Sequence, residues 1–161
     1  EWIKFGKPTA LGSVTGMVAG LGTITPASGF VGPAAALVIG IIAGAVCFNA
    51  VIIIKQKFKI DDSLDVFPVH GVGGILGILM LALVGKPEGF LGAGASGFDA
   101  STFSQFMIQL QGVVVICLWT LVFSWIALKA TSLVTNLRVS DESEYEGLDI
   151  TEHNESGYSA N

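Results

Sequence analysis

The chain of 161 residues is 52% hydrophobic and only 13% charged, and it contains 21 glycines. This composition is too apolar for a soluble domain of that length and indicates a lipid bilayer as the solvent. The net charge of -5 belongs to the segment 140–161, which carries seven acids and no base. No basic patch of the kind that neutralises phosphates is present, so we expect no nucleic-acid partner.

Charged residues are absent from three runs of the sequence, 8–54, 66–85 and 100–128. A membrane-spanning helix needs about 20 apolar residues, so each run is long enough to hold at least one helix. The first run holds two, because the prolines and glycines of "TPASGFVGP" break it. The sequence predicts an all-α integral membrane protein: a transmembrane domain over 1–139, with helices at about 8–27, 32–54, 63–85 and 101–135, and an acidic cytoplasmic tail over 140–161.

Basic residues set the expected orientation of these four helices. The positive-inside rule places loops rich in Lys and Arg in the cytoplasm. The loops at 25–33 and 86–99 have at most one basic residue and are expected outside, so the third helix runs outward and the C-terminus is cytoplasmic. The basic residues precede the first helix, separate the second from the third and follow the fourth: Lys4, Lys7, Lys55, Lys57, Lys59, Lys129 and Arg138.

The third helix begins with acidic residues and contains a histidine. Asp62 or Ser63 is expected to cap this helix, with Asp65 in its first turn. A start near Asp62 puts His70 eight residues along the chain, or about 12 Å along the axis. An ionisable group at that depth is costly and usually faces a pathway or the bundle interior. The residues alone leave transport and a purely structural histidine equally open.

The neighbours of His70 favour a role in a pathway. Pro68 has no amide hydrogen, so the carbonyl of Leu64 is expected to lose its helical donor and open the backbone locally. Three glycines are expected to leave space beside the ring: Gly71, Gly73 and Gly74. The residues that share its helix face are expected to give a narrow, apolar lining suited to a small neutral solute. These residues are Val66, Phe67, Gly73, Gly74 and Gly77.

Small and polar residues within the helices predict their packing. Glycines at four-residue spacing let helix backbones approach closely, and amides form bonds between helices. Cys47 and Cys117 fall in different helices and are expected to pack without forming a disulfide. The glycines are Gly12, Gly16, Gly20, Gly40, Gly44, Gly73 and Gly77, and the amides are Asn49, Gln105, Gln109 and Gln111.

Three ordered motifs, "KPTALGSVTGMVAGLGTITPASGFVG", "DDSLDVFPVHGVGGILG" and "EGLDITEH", resemble the C-terminal part of the ammonium transporter (Amt/Mep/Rh) family, Amt branch. The resemblance runs from about residue 2 to residue 153. It implies the last four helices of an eleven-helix fold, with seven helices preceding them. It further implies a homotrimer in the cell membrane that transports ammonium or ammonia, with no enzymatic step and no cofactor.

The resemblance also implies roles for particular residues. His70 is expected to be one of two histidines that face each other in a hydrophobic pore, the other lying in the preceding part of the family's length. Thr25 resembles a threonine near the outer vestibule, and Val66 an apolar pore residue below the histidine. Asp62 and Asp65 correspond to family acids that we interpret mainly as helix caps.

The tail resembles the family's regulatory segment, which packs beneath a neighbouring subunit. Thr151 matches a threonine that is phosphorylated in plant relatives, although the residues that follow it differ from the plant pattern; a solvated acidic tail is the alternative. A PII-type nitrogen-signalling protein is a possible partner. Two other functions remain open: an ammonium sensor of the same fold, and a structural membrane subunit in which His70 only bonds a neighbouring helix.

Overall fold

The computed structural model describes residues 2–85 and 102–156, in two compact units, residues 1–115 and residues 116–161. The expected external loop at 86–99 lies outside the described residues. All regular structure within the described ranges is helical, which confirms the expected fold class. The α-helices are α1 (Trp2–Phe5), α2 (Ala10–Ile24), α3 (Pro33–Ile52), α4 (Gly73–Val84), α5 (Thr102–Ser132), α6 (Asp141–Glu146) and α7 (Leu148–Thr151).

Four helical stretches in the described part of the chain are long and apolar enough to cross a membrane. Their ends follow local chemistry: the Thr9 hydroxyl accepts a hydrogen bond of 2.9 Å from the Gly12 amide before α2, and Pro33 opens α3. Proline is favoured at that position because its missing amide hydrogen would be unpaired anyway. The stretches are Ala10–Ala27, Pro33–Lys57, Phe67–Val84 and Thr102–Ser132.

The core of the first unit lies between α2, α3 and α4. One buried cluster joins Ala27 and Ile39 to Met80 and Leu81 of α4. A second cluster is made of smaller side chains, Ala19, Cys47 and Val69. Small residues in that layer let the three helix backbones approach one another, which is how helices associate where lipid removes the hydrophobic drive.

The expected glycine packing occurs on α4 but not at four of the expected positions of α2 and α3. A Cβ added at Gly73 would lie 2.8 Å from Thr23 Oγ1, and one added at Gly77 would overlap the Thr23 carbonyl oxygen. These two glycines therefore allow α4 to touch α2. Four of the other glycines have nothing within 4 Å of an added Cβ in the described part of the chain: Gly16, Gly20, Gly40 and Gly44.

The polar residues of the helices differ from expectation in one case. Asn49 donates a hydrogen bond of 2.8 Å to the Ala45 carbonyl of its own helix, rather than across to another helix. Gln105 is 3% exposed within the first unit. Cys47 and Cys117 are both free thiols.

The second unit contains the end of α5 and two short helices of the acidic tail. The Ser140 hydroxyl accepts a hydrogen bond of 3.1 Å from the Ser143 amide and so caps α6. Arg138, which precedes α6, forms an ion pair of 2.9 Å with Glu144 of that helix. Gly147, with φ of +109°, connects α6 to α7.

Candidate functional site

The helix that carries His70 begins later than expected. Residues Asp62 to Asp65 form a turn, closed by a bond of 3.2 Å from the Asp65 amide to the Asp62 carbonyl, and Asp65 has a left-handed φ of +55°. Asp65 therefore precedes the first helical turn instead of lying in it. The membrane-spanning stretch starts at Phe67, which puts His70 about one turn from the start rather than two.

Asp62 binds the free amides at this helix start. Its two carboxylate oxygens accept hydrogen bonds of 2.9 Å from the Val66 amide and 2.8 Å from the Phe67 amide. These bonds, the one from Phe67 first, lower the pKa of the Asp62 carboxyl, and the Lys55 charge adds to the effect. A carboxylate that accepts backbone amides is favoured in its charged form, so Asp62 caps the helix as an anion.

Asp65 connects the same helix start to the end of α3. Its carboxylate lies 2.7 Å from Lys55 Nζ, and the two side chains are 19% and 38% exposed respectively. Lys55 belongs to the π-helical segment Ile53–Lys57 that continues α3. The ion pair thus joins the ends of two successive membrane-spanning stretches.

His70 lies in a second π-helical segment, Phe67–Val72, which leads directly into α4. Pro68 is the second residue of this segment, where an amide would have no helical partner, so the proline fits without loss of a bond. The expected loss of a helical donor at the Leu64 carbonyl was wrong, because Leu64 lies in the turn before the helix and not in the helix itself. The irregular backbone takes the form of the π turn itself, a geometry common at functional sites.

The imidazole of His70 is exposed in this chain and borders one neighbouring helix. A Cβ added at Gly22 of α2 would lie 3.7 Å from His70 Nδ1 and 3.9 Å from the Val69 carbonyl oxygen. Gly22 therefore provides the space beside the Nδ1 edge. Sequence reasoning missed Gly22, because this glycine is outside the four-residue pattern of its helix and meets the ring only through tertiary packing.

Two of the three glycines expected to leave room beside the ring lie against other side chains. An added Cβ at Gly71 would meet the Phe67 ring at 3.0 Å, and one at Gly73 would meet Thr23 and Cys47. Gly74 has nothing within 4 Å of an added Cβ in the described residues. Gly73 therefore packs against α2.

The other candidate residues lie at helix ends. Thr25 is exposed after α2, and its hydroxyl donates a hydrogen bond of 2.7 Å to the Leu21 carbonyl. Val66 is 52% exposed and lies next to the Asp62 cap. Thr151 ends α7 in the second unit, where its hydroxyl donates to the Gly147 carbonyl at 3.1 Å.

The arrangement around His70 is suited to hydrogen bonding without fixed charge. A neutral imidazole offers one donor and one acceptor. The segment Phe67–Val84 contains no Lys, Arg, Asp or Glu, so the charges near the helix start end at Asp65. No group of three or more His, Cys, Asp or Glu side chains in the described ranges could hold a metal ion. The site can bind a small hydrogen-bonding solute, while a bare ion there would be poorly solvated.

Comparison with known proteins finds similarity along nearly the whole chain. The profile of the Ammonium Transporter Family matches residues 1–158. The chain is 42% identical over 158 residues to the ammonium transporter of Bacillus subtilis and 40% identical over 160 residues to ammonium transporter Amt1 of Archaeoglobus fulgidus. Each alignment covers 98% of this chain and 39% of the relative, so the chain spans about two-fifths of their length.

Solved structures give the same result for the fold. A sensor Amt protein superposes with a TM-score of 0.80 at 31% identity, covering 94% of this chain and 36% of that protein. Mep2 of Saccharomyces cerevisiae superposes with a TM-score of 0.75 at 33% identity, covering 88% of this chain and 33% of that protein. The chain therefore has the fold of about a third of each of these proteins.

Proposed function

Because the chain belongs to the ammonium transporter family, we propose that it forms part of a membrane pore that transports ammonium or ammonia. The observation that carries the proposal is His70, an exposed imidazole on an uncharged membrane-spanning helix with a glycine of α2 beside Nδ1. The relatives named ammonium transporters, matched along nearly the whole chain, support the same substrate. The substrate is moved and not chemically converted into a product, so the protein is not an enzyme.

The proposed mechanism separates the proton from the nitrogen. Transfer of a bare ammonium ion into hydrocarbon is very costly, whereas ammonia is a small neutral molecule that needs only hydrogen bonds. Loss of one proton from ammonium gives ammonia, which passes His70 while the imidazole accepts or donates a hydrogen bond. The proton crosses separately, by way of His70 and a second histidine from the family's remaining length.

The other residues take supporting roles in this proposal. Thr25 lies toward the outer vestibule, and Val66 narrows the pathway on the cytoplasmic side of His70. Asp62 and Asp65 hold the helix start, as their bonds to backbone amides and to Lys55 support. We place the assembly in the cell membrane as a homotrimer with a cytoplasmic C-terminus. Its tail is available for regulation at Thr151 or by a PII-type protein.

The experiment uses the full-length protein in liposomes. An ammonium pulse is expected to produce a current or an internal pH change. His70→Ala is expected to change the size of this signal at least tenfold. Leu83→Ala is the matched control, because it truncates an exposed side chain on the same helical stretch. A wild-type protein without an ammonium-dependent signal would overturn the transport proposal.

An ammonium sensor is the second candidate, and one comparison favours it: a sensor Amt protein is among the similar structures. A sensor would bind ammonium and change its cytoplasmic contacts without moving the substrate. Calorimetric binding of ammonium by protein that gives no flux in liposomes would support the sensor. Flux that depends on His70 would support the transporter, and flux unaffected by His70→Ala would favour a structural histidine.

A further inference from the structure

An open groove lies between the first half of α2 and the second half of α3. Its volume is about 550 Å³, within the range of about 300–1,000 Å³ that is usual for small-molecule sites. A Cβ added at Gly16 or Gly44 would meet nothing within 4 Å in the described part of the chain. The small residues of these two helices therefore leave space, whereas Gly73 and Gly77 of α4 make a helix contact. The small residues that line the groove include Gly12, Gly16, Ala19, Gly44 and Ala45.

The short helix α1 borders the same groove. Ile3 and Lys4 contribute to its lining, and the rings of Phe5 and Phe48 meet edge to face with their centroids 6.1 Å apart. Lys4 Nζ lies 5.8 Å from the centroid of the Phe48 ring, and Phe48 itself lines the groove. These contacts place the Lys4 ammonium at the edge of the groove.

The charges around the groove leave one cation without an acidic partner. Lys4 is the only basic residue among the described residues that line the groove, and it forms no ion pair with the described part of the chain. Asp65 is the only acid in the same lining, and Lys55 Nζ lies 2.7 Å from its carboxylate. The groove therefore offers an uncompensated positive charge beside a mainly apolar surface.

The surface next to Lys4 has the side chains of a membrane interface. Trp2 is 73% exposed and Phe5 is 61% exposed. Tryptophan is enriched at the level of the lipid headgroups, and lysine extends its charge from apolar surface toward water. Lys4 and Lys7 precede α2 on the side that is expected to face the cytoplasm. The lipids of that leaflet carry negative charge, so anionic headgroups are available at this level.

We propose that the groove between α1, α2 and α3 holds an acyl chain of an anionic phospholipid from the cytoplasmic leaflet, and that Lys4 binds the phosphate of its headgroup. The inference goes beyond the proposed transport function and does not depend on it. The acyl chain lies against the small residues of α2 and α3 and fills space that would otherwise lack dispersion contacts. A transmembrane helix in the same place would bury the Lys4 charge at a high cost, whereas a phospholipid brings its own anion.

The test counts the phospholipid molecules bound to the full-length protein by native mass spectrometry. The probes are phosphatidylglycerol, which is anionic, and phosphatidylcholine with the same acyl chains, which has no net charge. We expect Lys4→Gln to bind one phosphatidylglycerol fewer per subunit than the wild type and to bind phosphatidylcholine as the wild type does. Lys57→Gln is the matched control, because Lys57 is also exposed but does not line the groove. It is expected to bind as many lipids as the wild type.

A second substitution tests the space between the helices. Gly44→Leu fills the groove, and because nothing lies within 4 Å of an added Cβ there, no described atom has to move. We expect this variant also to bind one phosphatidylglycerol fewer per subunit, although Lys4 is retained.

Other results would overturn the lipid site. An unchanged lipid count in Lys4→Gln would do so, and so would an equal loss in Lys4→Gln and Lys57→Gln, which would show attraction to the general surface charge. A lower melting temperature of Gly44→Leu with an unchanged lipid count would show that another helix fills the groove. If Gly44→Leu does not fold, the comparison of Lys4→Gln with Lys57→Gln decides the matter, because both lysines are exposed.

Discussion

The start of the His70 helix and its middle are held by different kinds of interaction. At its start, Asp62 binds two backbone amides and Asp65 pairs with Lys55. In its middle, two or more turns after Asp65, the helix is held by the approach of Gly73 and Gly77 to α2. The start is polar and partly exposed, so its bonds compete with water, whereas the glycine contacts are steric. The stability of the helix should therefore fall when volume is added at the glycines and when charge is removed at the start.

The largest effect on stability is expected from Gly77→Ala, which tests the contact of the glycines with α2. The new Cβ overlaps the Thr23 carbonyl, which belongs to the backbone and cannot rotate away, so α2 and α4 must separate. We expect the free energy of unfolding to fall by about 3 kcal/mol, which is toward the upper end of the cost of overpacking a core. The measurement is the apparent melting temperature of the detergent-solubilised full-length protein.

Gly74→Ala is the matched control for that substitution. It adds the same methyl group on the same helix, but nothing lies within 4 Å of the added Cβ in the described residues. Equal melting temperatures for the Gly77 and Gly74 variants would show that overlap with the Thr23 carbonyl does not cause the loss of stability in Gly77→Ala.

A smaller effect on stability is expected from Asp62→Ala, which tests the polar cap at the helix start. The substitution leaves the Val66 and Phe67 amides without their carboxylate acceptor. We expect the melting temperature to fall by about half as much as in Gly77→Ala, since loss of a cap costs less than overpacking. Asp61→Ala removes a neighbouring carboxylate and serves as the control.

The stability difference between the wild type and Asp62→Ala should depend on pH, because the pKa of Asp62 is lowered in the folded state. A carboxyl with a lower pKa in the folded state stabilises the fold above its unfolded pKa, and this contribution disappears as the pH falls through the folded value. The wild type and Asp62→Ala should differ throughout the range above pH about 4 and converge below it. A difference that persists at lower pH would mean that the anionic cap is not its cause.

The smallest effect is expected from the Lys55–Asp65 ion pair. Lys55 is 38% exposed, so solvent screens the pair, and its loss should cost about 0.5 kcal/mol. Asp65→Asn is the informative variant, because asparagine also tolerates the left-handed φ of +55° and only the charge is lost. The difference in stability between Asp65→Asn and the wild type should shrink in high salt. A difference that does not depend on salt would point to the turn instead of the ion pair.

The sequence alone was sufficient to predict the number and approximate limits of the helices, because charge-free runs report directly on a membrane environment. It did not predict where the His70 helix starts. The left-handed backbone of Asp65 delays that start, and because many residues can precede a helix, the sequence does not indicate the delay. Gly73 and Gly16 have the same four-residue spacing, yet only Gly73 meets a neighbouring helix. Gly22 was missed because its contact with His70 joins residues far apart in the chain. The cytoplasmic position of the tail and the pairing of His70 stay predictions.

The π-helical segment Phe67–Val72 lies between the Asp62 cap and the glycines that contact α2. Its i→i+5 bonds enclose one residue more than the bonds of an α-helix. The wider turn takes up this extra residue, so the chain before and after it keeps its relative rotation, whereas one residue removed from a regular α-helix rotates everything on one side by about 100°. Deletion of one residue from Phe67–Val72 can therefore leave both the Asp62 cap and the Gly73 face with their partners. The same deletion within α4 cannot, so this segment should tolerate the loss of a residue better than α4 does.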